Sequence, residues 1–253
     1  MRAFVVFTKK ELMESLRTYR LIIILAVFAI LGILSPLTTL IMPEILGNMD
    51  LGGVTIILPE PTAMDAWAQY FGDIGMMGML VVIIVFSGIM ANEFSRGTLV
   101  NLLTKGLNRS TVILSKFAAA SLIWTAAYLL SLSITMGYIA FFWEIDLQNA
   151  ILAFVSLWLF GEMIIAILIF GGTLFGSFAG SLALVGGTIV MLMLINIAPN
   201  VARFNPISLS GSTVTLLDGS KSPGDFVPAM IVCGAITVVF IAVSMAVFGK
   251  KRV

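Results

Sequence analysis

Residues 92–116, NEFSRGTLVNLLTKGLNRSTVILSK, separate two strongly apolar blocks and decide how the chain is read. Before them lies GMMGMLVVIIVFSGIMA, and after them FAAASLIWTAAYLLSLSITMGYIAFFW. The segment carries Arg96, Lys105, Arg109 and Lys116 against a lone carboxylate, Glu93. A basic segment between two membrane-length runs is expected on the cytoplasmic side, where positive residues concentrate. Leu99, Leu102 and Leu103 recur at helical spacing, which predicts a short amphipathic helix along the membrane surface.

Composition supports the same frame. Of 253 residues, 60% are hydrophobic and only 11% charged, and the mean hydropathy is +1.11. A soluble domain needs more polar surface than this to face water, so an all-α polytopic membrane protein is expected. The net charge of +1 and the lack of long basic runs give no footprint for nucleic acid. The chain has no histidine, and its one cysteine, Cys233, lies in an apolar run. That excludes internal disulfides, Cys/His zinc sites and histidine acid–base chemistry. No cleavable signal peptide is expected, because the charged start is long and no small-residue cleavage site follows the first apolar run.

A spanning helix needs about 20 mainly apolar residues. Six stretches meet this, at about 20–41, 72–91, 113–142, 150–175, 181–198 and 226–248. The third and fourth are long enough to tilt or kink. Residues 1–19 read as an interfacial helix, with Phe4, Phe7, Leu12 and Leu16 near one face. The cytoplasmic loop covers 92–112, and two outer loops cover 42–71 and 199–225. Pro43, Gly52, Gly53, Pro59 and Pro61 punctuate the first outer loop, and Trp67, Tyr70 and Phe71 close it as outer-interface aromatics. In the second, ISLSGSTVTLL is expected as a short helix dipping into the membrane. With both termini inside, twelve of the fourteen basic residues fall on the cytoplasmic side, leaving only Arg203 and Lys221 outside. The outer carboxylates are Glu44, Asp50, Glu60, Asp65, Asp73, Glu144, Asp146, Asp218 and Asp225.

No GxxxxGK[ST] loop is present, so the chain lacks that phosphate cradle of a nucleotide hydrolase. The outer carboxylates have neither EF-hand spacing nor a paired acid–base arrangement. Any energy-consuming function therefore draws on a partner or on an ion gradient.

The 92–116 segment resembles the cytoplasmic loop after the second span of ABC-2 type permeases, the membrane subunits of one class of ABC transporters. The family pattern, an acidic residue, Gly-Thr, a Leu pair, Pro-x-x-Arg and a closing Lys, is met by Glu93, Gly97, Thr98, Leu102, Leu103, Arg109 and Lys116. Gly106 stands where the family often has proline, and Ser115 where it often has glycine. An amphipathic start, six spans, Asn205–Pro206 before the sixth and the basic end GKKRV extend the likeness along the chain. The resemblance implies a coupling helix between spans two and three that docks on a cytoplasmic ABC ATPase dimer made as separate chains. It also implies a second permease subunit, with a homodimer favoured, and ATP and Mg held by the partner, so this chain is not itself the enzyme. Under it, Glu93 bonds a basic group or a helix N-terminus, while Arg109 and Lys116 pair with ATPase carboxylates or anionic lipid.

Two polar residues are candidates for a substrate or intramembrane contact. Glu162 is the carboxylate deep within a predicted span, where ionisable groups face protein or a cavity. Asn196 lies near the outer end of span five and equally suits helix–helix glue. An exporter of a lipid, hydrophobic peptide or drug-like amphiphile in a bacterial cell membrane is the expectation. The alternatives are an ion-gradient-driven secondary transporter and a non-transporting scaffold that recruits a soluble partner.

Overall fold

The computed structural model describes residues 2–47, 59–97, 108–144 and 147–251. Among these no strand occurs, and six helices are long and apolar enough to cross a membrane. The first is α2 (Arg20–Gly47), preceded by α1 (Arg2–Arg17). The second runs from α3 (Ala63–Asp73) through a π-helical turn, Ile74–Gly78, into α4 (Met79–Arg96). Then follow α5 (Arg109–Phe142), α6 (Ala150–Phe175) and α7 (Phe178–Ile195). Three single turns, α8 (Pro199–Ala202), α9 (Ser208–Gly211) and α10 (Val214–Leu217), lead to α11 (Pro223–Lys250). Helices are the form in which an open chain can cross lipid, because each satisfies its backbone groups internally.

The bundle is built around α6. Every residue from Phe160 to Ile169 is buried, and α4, α5, α7 and α11 all pack on it. A helix apolar on all sides belongs at such a centre. At Gly161 the missing side chain lets the Trp124 indole of α5 lie against the α6 backbone, since a methyl there would overlap the ring. The indole nitrogen donates to Trp158 O at 3.0 Å, and Trp158 Nε1 in turn donates to Thr125 Oγ1 at 2.9 Å.

The α2–α5 contact shows how proline is tolerated in a span. Pro36 has no N–H, so the carbonyl four residues earlier, Gly32 O, loses its usual helical partner. Thr135 of α5 supplies the replacement, its Oγ1 donating to Gly32 O at 3.0 Å. Gly32 permits this approach, because a side chain there would press on Ser131 O.

Four expectations change at the end of the bundle where α2 leads to α3. The helix α2 continues through Pro43 to Gly47, and the second span begins at Ala63 rather than at 72, so both shorten the first outer loop. Thr62 explains the early start: its side chain accepts from Asp65 N while Asp65 accepts from Thr62 N, a capping box. Trp67, Tyr70 and Phe71 are therefore not interface aromatics. They are buried, with Trp67 and Phe71 packed against Phe154 of α6 and Tyr70 OH within 3.0 Å of Ser131 Oγ. Asp73, counted with the outer-loop carboxylates, is instead the last residue of α3 in the continuous helix and accepts from Ser35 Oγ at 2.8 Å and Gln69 Nε2 at 3.0 Å. In the 199–225 segment, ISLSGSTVTLL forms two separate turns rather than one helix, with Leu209, Leu216 and Leu217 buried.

The short break between spans four and five falls at Gly176, which ends α6 in the left-handed conformation at φ +66°, and Ser177 then caps α7. The helix α7 is the least covered of the six, exposing Val190, Met191, Met193 and Leu194.

Candidate functional site

One end of the bundle gathers a network of charges from α1, α4 and α5. Lys116, about two turns into α5, is almost fully buried, and a buried ammonium is costly unless carboxylates meet it. Its Nζ donates to Glu11 Oε2 at 2.8 Å and to Glu93 Oε1 at 2.9 Å. Half-exposed Lys10 closes the network, reaching Glu14 Oε2 at 2.6 Å, Glu11 Oε1 at 3.0 Å and Glu93 Oε1 at 3.5 Å. Burial pulls the Lys10 ammonium toward losing its proton. Its bonds to Glu14 and Glu11 and the charge of Glu93 outweigh that, holding it above the ordinary lysine value of 10.5.

Oxygens of Glu11, Glu14 and Glu93 lie within 4.8 Å of one another, a spacing that would suit a cation. The two lysines already fill that role. Arg20 lines the same crevice, of about 310 Å³, and its charge balances the remaining carboxylate. The arrangement joins three helices that are distant in sequence, and it does so at the residue where α4 leads toward the 92–112 loop.

The sequence-predicted site residues divide as follows. Glu93 and Lys116 come together, but Lys116 is bonded within the chain and is not presented to an outside carboxylate or lipid. Arg109 is also engaged: its Nη1 donates to Phe248 O and Lys251 O at 2.6 Å each and to Gly249 O at 3.2 Å. These are carbonyls that the end of α11 leaves without helical partners. A cation there also meets the negative end of the helix dipole. Lys251 repeats the device on α6, donating to Thr173 O at 2.8 Å and Leu174 O at 3.2 Å and lying 4.3 Å from the Phe94 ring centre. Gly97 ends α4 with φ +64°, a left-handed cap that suits glycine. Thr98, Leu102 and Leu103, and with them the expected coupling helix, lie outside the described residues.

In α1 the helix is present, but the buried face is Phe7, Thr8 and Glu11, whereas Leu16 is exposed beside Val5, Val6 and Met13. The expected apolar face is therefore split, because α1 turns a mixed face to α5 rather than lying on lipid alone. Glu11, Glu14 and Lys10 were missed as members of the site. The available signals were the i,i+4 spacing of Lys10 with Glu14 and the position of Glu11 one turn beyond Phe7.

Glu162 is buried on α6. One oxygen accepts from Ser121 Oγ at 2.6 Å, and the other, Oε2, has no hydrogen-bond partner among the described residues. Asn196 is exposed at the end of α7, the position expected for it near the end of span five, and its Oδ1 lies 3.5 Å from Asn205 Nδ2. Buried Asn205, in the connection between α8 and α9, ties that segment to α7 by donating to Leu192 O at 2.6 Å.

No family model matches the chain. It is 24% identical over 216 residues to YxlG, an uncharacterized transmembrane protein of Bacillus subtilis (strain 168), with 83% of each chain covered. Six apolar helices and a transmembrane relative agree. The chain is a multi-pass membrane protein. In this membrane protein the α1 segment and the end of α11 lie at one end of the bundle, joined through α5 by Lys116 and Arg109.

Proposed function

We propose that this protein is the permease subunit of an ATP-driven transporter of the ABC-2 type, working as a homodimer with a separate cytoplasmic ATPase. It exports a hydrophobic or amphiphilic substrate across a bacterial cell membrane, with both termini in the cytoplasm. The supporting observation is the Glu11–Lys116–Glu93 network. It ties the segments on both sides of the 98–107 stretch to one another and to α1, so a push on that stretch moves three helices together. Buried charge pairs resist separation, because parting them leaves an uncompensated charge, which suits transmission of a rigid-body displacement. The ATPase supplies the nucleotide and metal chemistry; this chain supplies the lever and the spans.

Affinity purification of the tagged chain in mild detergent tests the reading. A soluble ATPase is expected with the parent and absent with Leu102→Asp/Leu103→Asp. Glu93→Gln is expected to retain the ATPase but to lose ATP-dependent transport. An intact membrane dimer that brings no ATPase overturns the proposal.

One observation favours a second reading, a transporter driven by an ion gradient. The unpartnered Oε2 of Glu162 is the kind of intramembrane acceptor such a transporter uses to carry a proton or cation. ATP-independent, gradient-dependent uptake abolished by Glu162→Gln would establish it over the first.

A further inference from the structure

The two basic residues left at the outer end, Arg203 and Lys221, lie 18 positions apart yet line the same crevice, of about 330 Å³. It is formed by the end of α7, the α8–α9 turns and the first turn of α11, and Asn196, Ser208, Ser212 and Asp225 complete its polar wall. Its size falls at the lower end of the range for small-molecule sites. Neither cation makes a side-chain hydrogen bond or ion pair with another described residue. Each instead lies over a neighbouring ring, Arg203 at 5.0 Å from Phe204 and Lys221 at 5.9 Å from Phe226. The one carboxylate in the wall, Asp225, already accepts from Ser222 N and Ser222 Oγ, both at 3.1 Å. Ser208 gives its proton to Asn205 O. The Asn196 amide and the Ser212 hydroxyl remain as donors beside the two cations.

We propose that this crevice binds the phosphate group of a phosphate ester at the outer face of the protein. Four donor groups, two of them cationic, exceed what a carboxylate takes up and match the several oxygens of a phosphate, with the Arg203 fork spanning two of them. The N-terminus of the 28-residue helix α11 opens on the same wall and adds its positive end. Ile197, Val201 and Phe204, close in the chain to the lining residues Asn196, Ala202 and Arg203, are exposed apolar side chains, which suits a lipid whose headgroup enters the crevice. The inference rests on the crevice alone and holds whether or not an ATPase drives the spans.

The full chain in phosphatidylcholine nanodiscs doped with phosphatidylglycerol tests it, with retained anionic lipid counted by native mass spectrometry. Arg203→Gln and Lys221→Gln are each expected to weaken retention about tenfold, the loss of one charge-assisted bond. Lys9→Gln, an exposed charge at the other end, leaves retention unchanged. Glycerol 3-phosphate separates the sources. If it displaces the lipid and raises the melting temperature only of the parent, the site takes soluble phosphate esters; if it does neither, the site is specific for lipid. Equal retention by the parent and by a folded Arg203→Gln/Lys221→Gln double variant overturns the proposal, as does an equal loss with Lys9→Gln.

Discussion

The Lys116 ammonium lies between Glu11 Oε2, at 2.8 Å, and Glu93 Oε1, at 2.9 Å, so a single buried cation joins α1 to the last turn of α4. Removing it takes the buried cation from between two buried carboxylates and leaves half-exposed Lys10 as the cation in reach of both. Lys116→Met is expected to cost about 3–5 kcal/mol. Replacing all three groups, as Glu11→Leu/Glu93→Leu/Lys116→Met, is expected to restore most of the loss, because apolar side chains of similar size leave no charge unpaired. Equilibrium unfolding in mixed detergent measures both, and a single variant as stable as the parent would contradict the network.

The same network has a defined response to alkali. The Lys10 ammonium is held above its ordinary value of 10.5 when folded. A cation whose affinity for its proton rises on folding stabilises the fold fully below that ordinary value and loses the contribution as pH climbs through the higher, folded value. Protection of α1 amides from hydrogen exchange, corrected for the intrinsic rate, is therefore expected to hold to about pH 10 and to fall only above it. In Lys10→Met the alkaline fall should shrink. A loss of α1 protection near neutral pH would argue against the assignment.

Thr135 and Pro36 form a testable pair through Gly32 O. Thr135→Val leaves that carbonyl unsatisfied and is expected to cost about 1–3 kcal/mol. Pro36→Ala returns an N–H four residues along, so the Thr135→Val penalty should shrink in that background. A double-mutant cycle reads the coupling directly. Additive effects would show that Thr135 does not replace the proline's missing donor.

Two glycine substitutions separate packing from propensity. Gly161→Ala places a methyl into the Trp124 ring and is expected to destabilise by about 1–3 kcal/mol, as overpacking does. Gly186→Ala on α7 meets nothing within 4 Å and is expected to be neutral or slightly stabilising. Thermal melts of the two variants side by side make the comparison.

Much of the architecture is legible in the sequence. The six apolar runs announced themselves because a membrane helix is selected by local hydrophobicity over about 20 residues, and 150–175 matches its helix at both ends. Boundaries were misjudged where a cap outweighed composition. Thr62 and Asp65 begin the second span in a stretch rich in proline and polar residues, which hides its helical character. The charged residues were harder. The positive bias of a few segments marks Arg109, Lys116 and Lys251 as a group, yet each is engaged in a particular bond that no spacing reveals.

The sequence by itself determined that this is a six-span helical membrane protein, that its charge is concentrated in a few segments, and that Glu93 and Lys116 bracket its basic loop. Those properties belong to the chain locally, since the cost of placing a residue in lipid depends on that residue and its near neighbours. Only the tertiary structure decided that Lys116 is bonded to Glu11 and Glu93, that Arg109 caps the last helix, that Trp67 and Tyr70 face the core, and that Arg203 and Lys221 share a crevice. Partners of a polar group are set by which helices become neighbours. That choice is made by side-chain packing around α6 and by the need of every buried donor and charge for a counterpart, acting between residues up to 142 positions apart.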